Sequence, residues 1–127
     1  MPLVRVSLKA GKPAAYRKAI FDGVYDAMRS AFDVPEEDRF MVISEHDETD
    51  FSYSANYLGI ARTDNLVLIQ LTVSNTRPVA KKKALYRAIV DNLSKNPGVR
   101  SEDVFINLVE VLPENWSFGN GIAQYAE

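Results

Sequence analysis

The 127-residue chain contains no cysteine. That excludes a disulfide framework and any chemistry that needs a protein thiolate. It has one histidine, His46, set among Glu45, Asp47, Glu48 and Asp50. Without a second histidine or a cysteine the usual ligands of a zinc site are missing, so the expectation is a solvated acidic loop and no metal. No apolar run approaches the roughly 20 residues of a membrane span, and the N-terminus lacks the apolar core of a signal peptide. The chain is therefore expected in the cytoplasm, with no membrane partner. Positive charge is not in excess: 15 Lys and Arg stand against 17 Asp and Glu, a net charge of −2. This argues against a nucleic-acid partner, which needs clustered cations. What remains is an ordinary globular composition, 46% hydrophobic, long enough for one domain over residues 1–127.

The chain opens MPLVRVSL. The apolar side chains of Leu3, Val4, Val6 and Leu8 read as a buried strand, with Arg5 and Ser7 on its other face. Pro2 has two readings. A proline is tolerated at the first position of a strand, where no ladder bond is lost. If Met1 is removed, Pro2 instead carries a free secondary amine in a fixed pose. Further on, Tyr16, Ile20, Val24, Met28 and Phe32 recur every four residues and predict a helix over 14–32, started by Pro13. RFMVISEH (39–46) reads as a second strand, and DETDFSYSANYLGI (47–60) as a loop with a short hairpin. NLVLIQLTV (65–73) is a third strand. A second helix starts at Pro78, places Leu85, Ala88, Ile89 and Leu93 on one face, and stops at Pro97-Gly98. EDVFINLVEV (102–111) is a fourth strand, and WSFGNGIAQY (116–125) closes the chain as a glycine-punctuated aromatic segment.

Strand, helix, strand and hairpin thus occur twice. Sliding the sequence by 65 aligns 62 pairs, of which 13 are identical, including Pro13 with Pro78, Asp38 with Asp103, Phe40 with Phe105 and Ser52 with Ser117. Chance gives about one in sixteen with such a composition. The chain reads as two fused β-α-β copies, about 1–62 and 66–127. Each copy makes two parallel strands with a right-handed crossover. Merged, they give an α+β fold: a four-stranded mixed sheet with both helices on one face, plus short hairpins. Strands apolar on both faces predict an oligomer that covers the second face.

These features resemble the tautomerase superfamily, and within it the malonate semialdehyde decarboxylase branch. The resemblance runs over nearly the whole chain. It is carried by Pro2 with PLVRVSL, by VPEEDRF (34–40), by SNTRP (74–78), and most specifically by DVFI (103–106) followed by WSFGNGIAQY. It implies a catalytic Pro2, an Asp38 near the amine, and an Arg77 that holds a substrate carboxylate. It implies Trp116, Phe118 and Tyr125 as aromatic walls, a homotrimer, and no cofactor. The decarboxylase pattern has two arginines spaced Arg-x-Arg; here Asn75-Thr76-Arg77 retains only the second. Arg39 and Arg62 are spare cations elsewhere in the chain. Arg77 also precedes a helix start, where the dipole disfavours a cation, so its position needs a reason such as carboxylate binding.

An α-amino group titrates near about 8 in the reference state. A neutral Pro2 would move a proton between carbon and an enol oxygen. A protonated Pro2 would polarise a carbonyl oxygen during decarboxylation, or during addition of water to an unsaturated acid. The expected substrate is accordingly a small oxo acid or unsaturated carboxylic acid. Two alternatives stand beside this: a keto-enol tautomerase of arylpyruvate-type substrates, and a non-catalytic trimeric binding module.

Overall fold

A computed structural model describes residues 2–126. Six main elements follow in order: β1 (Leu3–Lys9), α1 (Ala14–Phe32), β2 (Met41–His46), β3 (Val67–Ser74), α2 (Val79–Lys95) and β4 (Val104–Val111). The sheet order is β2-β1-β3-β4. β1 runs parallel to β2 and β3 parallel to β4, while the two inner strands β1 and β3 meet antiparallel. This is the mixed four-stranded sheet that two β-α-β copies predict. Among the described residues no helix is long and apolar enough to cross a membrane.

The core lies between one sheet face and the helix pair. Val4, Val6 and Leu8 of β1 and Val67, Ile69, Leu71 and Val73 of β3 are all buried against Ile20, Val24, Met28, Leu85, Ile89 and Leu93. Each such side chain taken out of water contributes about 1.5–3 kcal/mol. The helices meet at Gly23, whose carbonyl accepts a hydrogen bond from Asn92 Nδ2 at 2.9 Å. A Cβ on Gly23 would lie 2.8 Å from Leu93 Cδ2 and 3.4 Å from Asn92 Cβ. Gly23→Val therefore forces the helices apart. We expect a loss of about 1–3 kcal/mol in denaturant unfolding; unchanged stability would contradict this close approach.

On the other sheet face Val42, Phe105 and Val109 are exposed, with Arg5, Gln70 and Asn107 between them. Trp116 and Phe118 reach this face beside Leu3, and Tyr53, Tyr57 and Arg62 reach it beside Leu68 and Phe105. The expected short hairpins are absent there: residues 47–66 and 112–126 hold 3-10 turns and bends and no strand. Local side-chain bonds take the place of a ladder. Asp47 accepts from the amides of Thr49 and Asp50, and Ser54 Oγ accepts from the amide of Tyr57.

Candidate active site

Register places the start of β1 among three other segments. Val4 pairs with Met41, Leu3 with Thr72, and Ser74 with Val111. Pro2 therefore falls beside residues 38–40, near the end of β3 and, through it, the segment that follows β4. The Val4 amide donates to the Phe40 carbonyl at 3.0 Å and fixes that contact. Pro2 is buried. It lines a cavity of about 200 Å3 together with Leu3, Phe40, Trp116, Ser117 and Phe118. Met1, whose removal would free the Pro2 amine, lies outside the described residues.

The C-terminal segment forms a strap whose residue types each follow from its geometry. Trp116 Nε1 donates to Ser74 Oγ at 3.0 Å and ties the strap to the end of β3. The Trp116 and Phe118 rings stack with centroids 5.5 Å apart. The chain then reverses through Gly119, Asn120 and Gly121, all with positive φ, a region costly for most side chains. Gln124 closes the turn: its Oε1 accepts from the Phe118 amide at 3.0 Å and its Nε2 donates to the Gly119 carbonyl at 3.1 Å. Gln124→Ala should release the strap. Trp116 is the single tryptophan, so its emission should shift red as it gains solvent. An unshifted spectrum would mean that the clip is dispensable.

Tyr125 was expected in the wall and stands outside the cavity lining. The Gln124 clip turns the chain so that Tyr125 buttresses Phe118 from behind, edge-on at 4.7 Å. Phe40, by contrast, is a wall residue not singled out from sequence. Its mate in the repeat, Phe105, was the available signal.

Asp38 is buried just ahead of Phe40. Burial raises its carboxyl above the ordinary value, opposed in part by Arg77. Its repeat mate shows where this position comes from. Asp103 is fully buried and accepts from the Thr63 amide at 2.7 Å and the Thr63 hydroxyl at 2.6 Å, three to four residues ahead of β3. The same fold position in the first copy puts Asp38 ahead of β2, near the beginning of β1. A raised carboxylate pKa weakens the native state once the pH climbs past the ordinary 3.8. Asp38→Asn should therefore melt a few degrees higher than the parent at neutral pH, with the gap closing as the pH falls below that value. Equal melting points at pH 7 would show that the buried charge costs nothing.

Arg77 is half-buried and does not line the cavity. Its Nε and Nη2 donate to the Phe32 carbonyl at 3.3 and 3.1 Å, and its guanidinium carbon lies 4.4 Å from the Phe32 ring centroid. Phe32 is the last residue of α1, so the cation sits at a helix C-terminus, where the dipole favours it. This is a structural reason for a cation ahead of α2. Burial lowers Arg77 below the ordinary arginine value, against Asp33, Asp38 and Tyr125. Its remaining N–H groups leave capacity for an anion. Neither spare arginine lines the Pro2 cavity. Arg39 pairs with Asp22 at 2.9 Å and lies over Tyr25. Arg62 belongs to the loop ahead of β3, where it donates to the Tyr57 carbonyl at 3.1 Å. Among the described residues, no three His, Cys, Asp or Glu side chains are grouped to hold a metal ion.

Two family models described as "Tautomerase enzyme" match residues 38–119 and 2–60. The chain is 39% identical over 127 residues to "Probable tautomerase YusQ" of Bacillus subtilis (strain 168), covering 100% of both. It is similar to the solved structure of FG41 malonate semialdehyde decarboxylase inhibited by 3-bromopropiolate. That match has 35% identity, a TM-score of 0.91, and covers 97% of this chain and 93% of the other. A "Q0 fused 4-OT wild type symmetric trimer" shares the fold at 21% identity and a TM-score of 0.81, covering 98% of each. A relative matched end to end and a family model over residues 38–119 agree, and the chain belongs to the tautomerase superfamily, in its malonate semialdehyde decarboxylase-like branch.

Proposed function

We propose that this chain acts on a small oxo acid or unsaturated carboxylic acid, with the Pro2 amine as general acid or base and Arg77 as the carboxylate clamp. The observation that carries this reading is a buried Pro2 in an apolar cavity walled by Phe40, Trp116 and Phe118, with a buried Asp38 just ahead of Phe40 and within electrostatic reach of Arg77. Low polarity around the amine strengthens every charge interaction made there. An ionised Asp38 favours the ammonium, and Arg77 favours the free amine.

In the decarboxylase reading the ammonium donates to the carbonyl oxygen of a β-oxo acid. The bond to the carboxylate carbon breaks, carbon dioxide leaves, and the electron pair moves onto that oxygen as an enolate held by Pro2. The same ammonium would polarise an unsaturated acid toward water. In the tautomerase reading a neutral Pro2 removes a proton from carbon and returns it to oxygen. The single clamp and the stacked rings support this second reading, because an arylpyruvate needs one cation and a flat apolar wall.

We further propose a homotrimer. It is supported by the exposed Val42 and Val109 on the open sheet face, and by the trimer described for the fused 4-OT relative. The functional test is an assay of carbon dioxide release from malonate semialdehyde beside ketonisation of phenylpyruvate enol. Turnover of either one that depends on Pro2 supports enzymatic function and selects the reading. Inertness toward both, with tight binding of either, would favour the non-catalytic binding module.

A further inference from the structure

The repeat that builds the sheet also builds a second cavity. It has a volume of about 310 Å3 and is lined by Ser52, Tyr53, Ser54, Tyr57, Arg62, Leu66, Leu68 and Phe105. Four of these are the mates, 65 positions away, of residues that line the Pro2 cavity: Leu68 of Leu3, Phe105 of Phe40, Ser52 of Ser117 and Tyr53 of Phe118. The supports correspond as well. Ser74 holds the strap through Trp116 in one copy. In the other, its mate Lys9 pairs with Asp64 at 3.0 Å, and Asp64 accepts from the Tyr53 hydroxyl at 2.8 Å.

Two differences decide what this second cavity does. The mate of Pro2 is Val67, whose nitrogen is an in-chain amide. An amide is neither a base nor an acid at physiological pH, so no proton transfer of the Pro2 kind occurs there. The second difference is charge. Among the described residues no charged side chain lines the Pro2 cavity, whereas Arg62 lines this one. Its Nη1 is anchored by the carbonyls of Tyr57 at 3.1 Å, Ser54 at 3.4 Å and Ile60 at 3.5 Å. The fork is therefore positioned in advance, with N–H groups left for an anion. The nearby acids are engaged with their own partners: Asp64 with Lys9 and Tyr53, Asp103 with Thr63 and Arg100. Ser52, Tyr53, Ser54 and Tyr57 line the space as hydroxyl-bearing residues, and Tyr53 and Phe105 bring aromatic rings to it.

We infer that this second cavity binds a small planar carboxylate without turning it over, with Arg62 holding the anion against Tyr53 and Phe105. The site stands on its own cavity and does not depend on catalysis at Pro2.

The test uses benzoate, an acid with no oxo group to react, on the full chain by equilibrium dialysis. Ser117→Trp fills the Pro2 cavity and serves as the background. That protein should bind one benzoate per chain. Adding Arg62→Ala should weaken binding at least about tenfold, as loss of a charge-assisted contact does. Adding Ser52→Trp, which fills the second cavity and leaves Arg62 in its loop, should abolish binding. Absence of binding in the Ser117→Trp background overturns the inference, and so does binding that either added variant leaves unchanged.

Discussion

Replacing Pro2 by alanine should lower turnover by a factor of at least about a hundred while the protein still folds. General acid–base groups contribute about a hundredfold to ten-thousandfold, and here one nitrogen carries that role. Folding is spared because the ladder begins at Leu3, and Pro2 lies ahead of it. Alanine keeps an amine but loses the ring that fills its place beside Phe40 and Trp116. A chain that retains a residue ahead of Pro2 presents an amide nitrogen and should be inactive. Steady-state rates beside circular dichroism check both variants. A Pro2→Ala protein with an unchanged rate would remove the proline ring from the mechanism.

Arg77→Ala should act twice. Loss of the carboxylate clamp should lower kcat/KM by about ten- to a hundredfold, mostly through KM, in line with a charge-assisted hydrogen bond. Loss of the cation at the end of α1 and over the Phe32 ring should also cost about 1–2 kcal/mol of stability. Arg77→Lys separates the two roles. A lysine keeps the charge at the helix end but not the planar fork, so stability should largely return while KM stays high. If KM returns together with stability, Arg77 is a structural brace and the clamp lies elsewhere. An Arg77→Ala protein with unchanged KM would remove the clamp outright.

The helices were the most legible part of the chain. Apolar residues every four positions after Pro13 marked 14–32, and the structure gives α1 those bounds. Pro78 and the Leu85, Ile89, Leu93 spacing did the same for α2. The strand pairing followed from the repeat, because two β-α-β copies related by symmetry bring β1 and β3 together. The hairpins failed for a local reason: Asp47 and Ser54 satisfy backbone amides that a strand would have offered to a neighbour. At the candidate site the resemblance carried by WSFGNGIAQY implied Trp116 and Phe118 as walls, and both line the cavity beside Pro2. The seat of Arg77 was not, since its partner Phe32 lies 45 residues away and no short-range pattern records that contact. Phe40 was overlooked because an aromatic beside a strand normally reads as packing, and only its pairing with Phe105 marked it as part of a duplicated wall.

The central claim is that Pro2 presents a free amine to this cavity. The intact mass of the protein purified from its native host tests that most directly. The account predicts a chain lighter by one methionine, which begins at Pro2. A mass that retains Met1 would place an amide where the mechanism needs an amine, and would contradict the proline chemistry proposed for this protein.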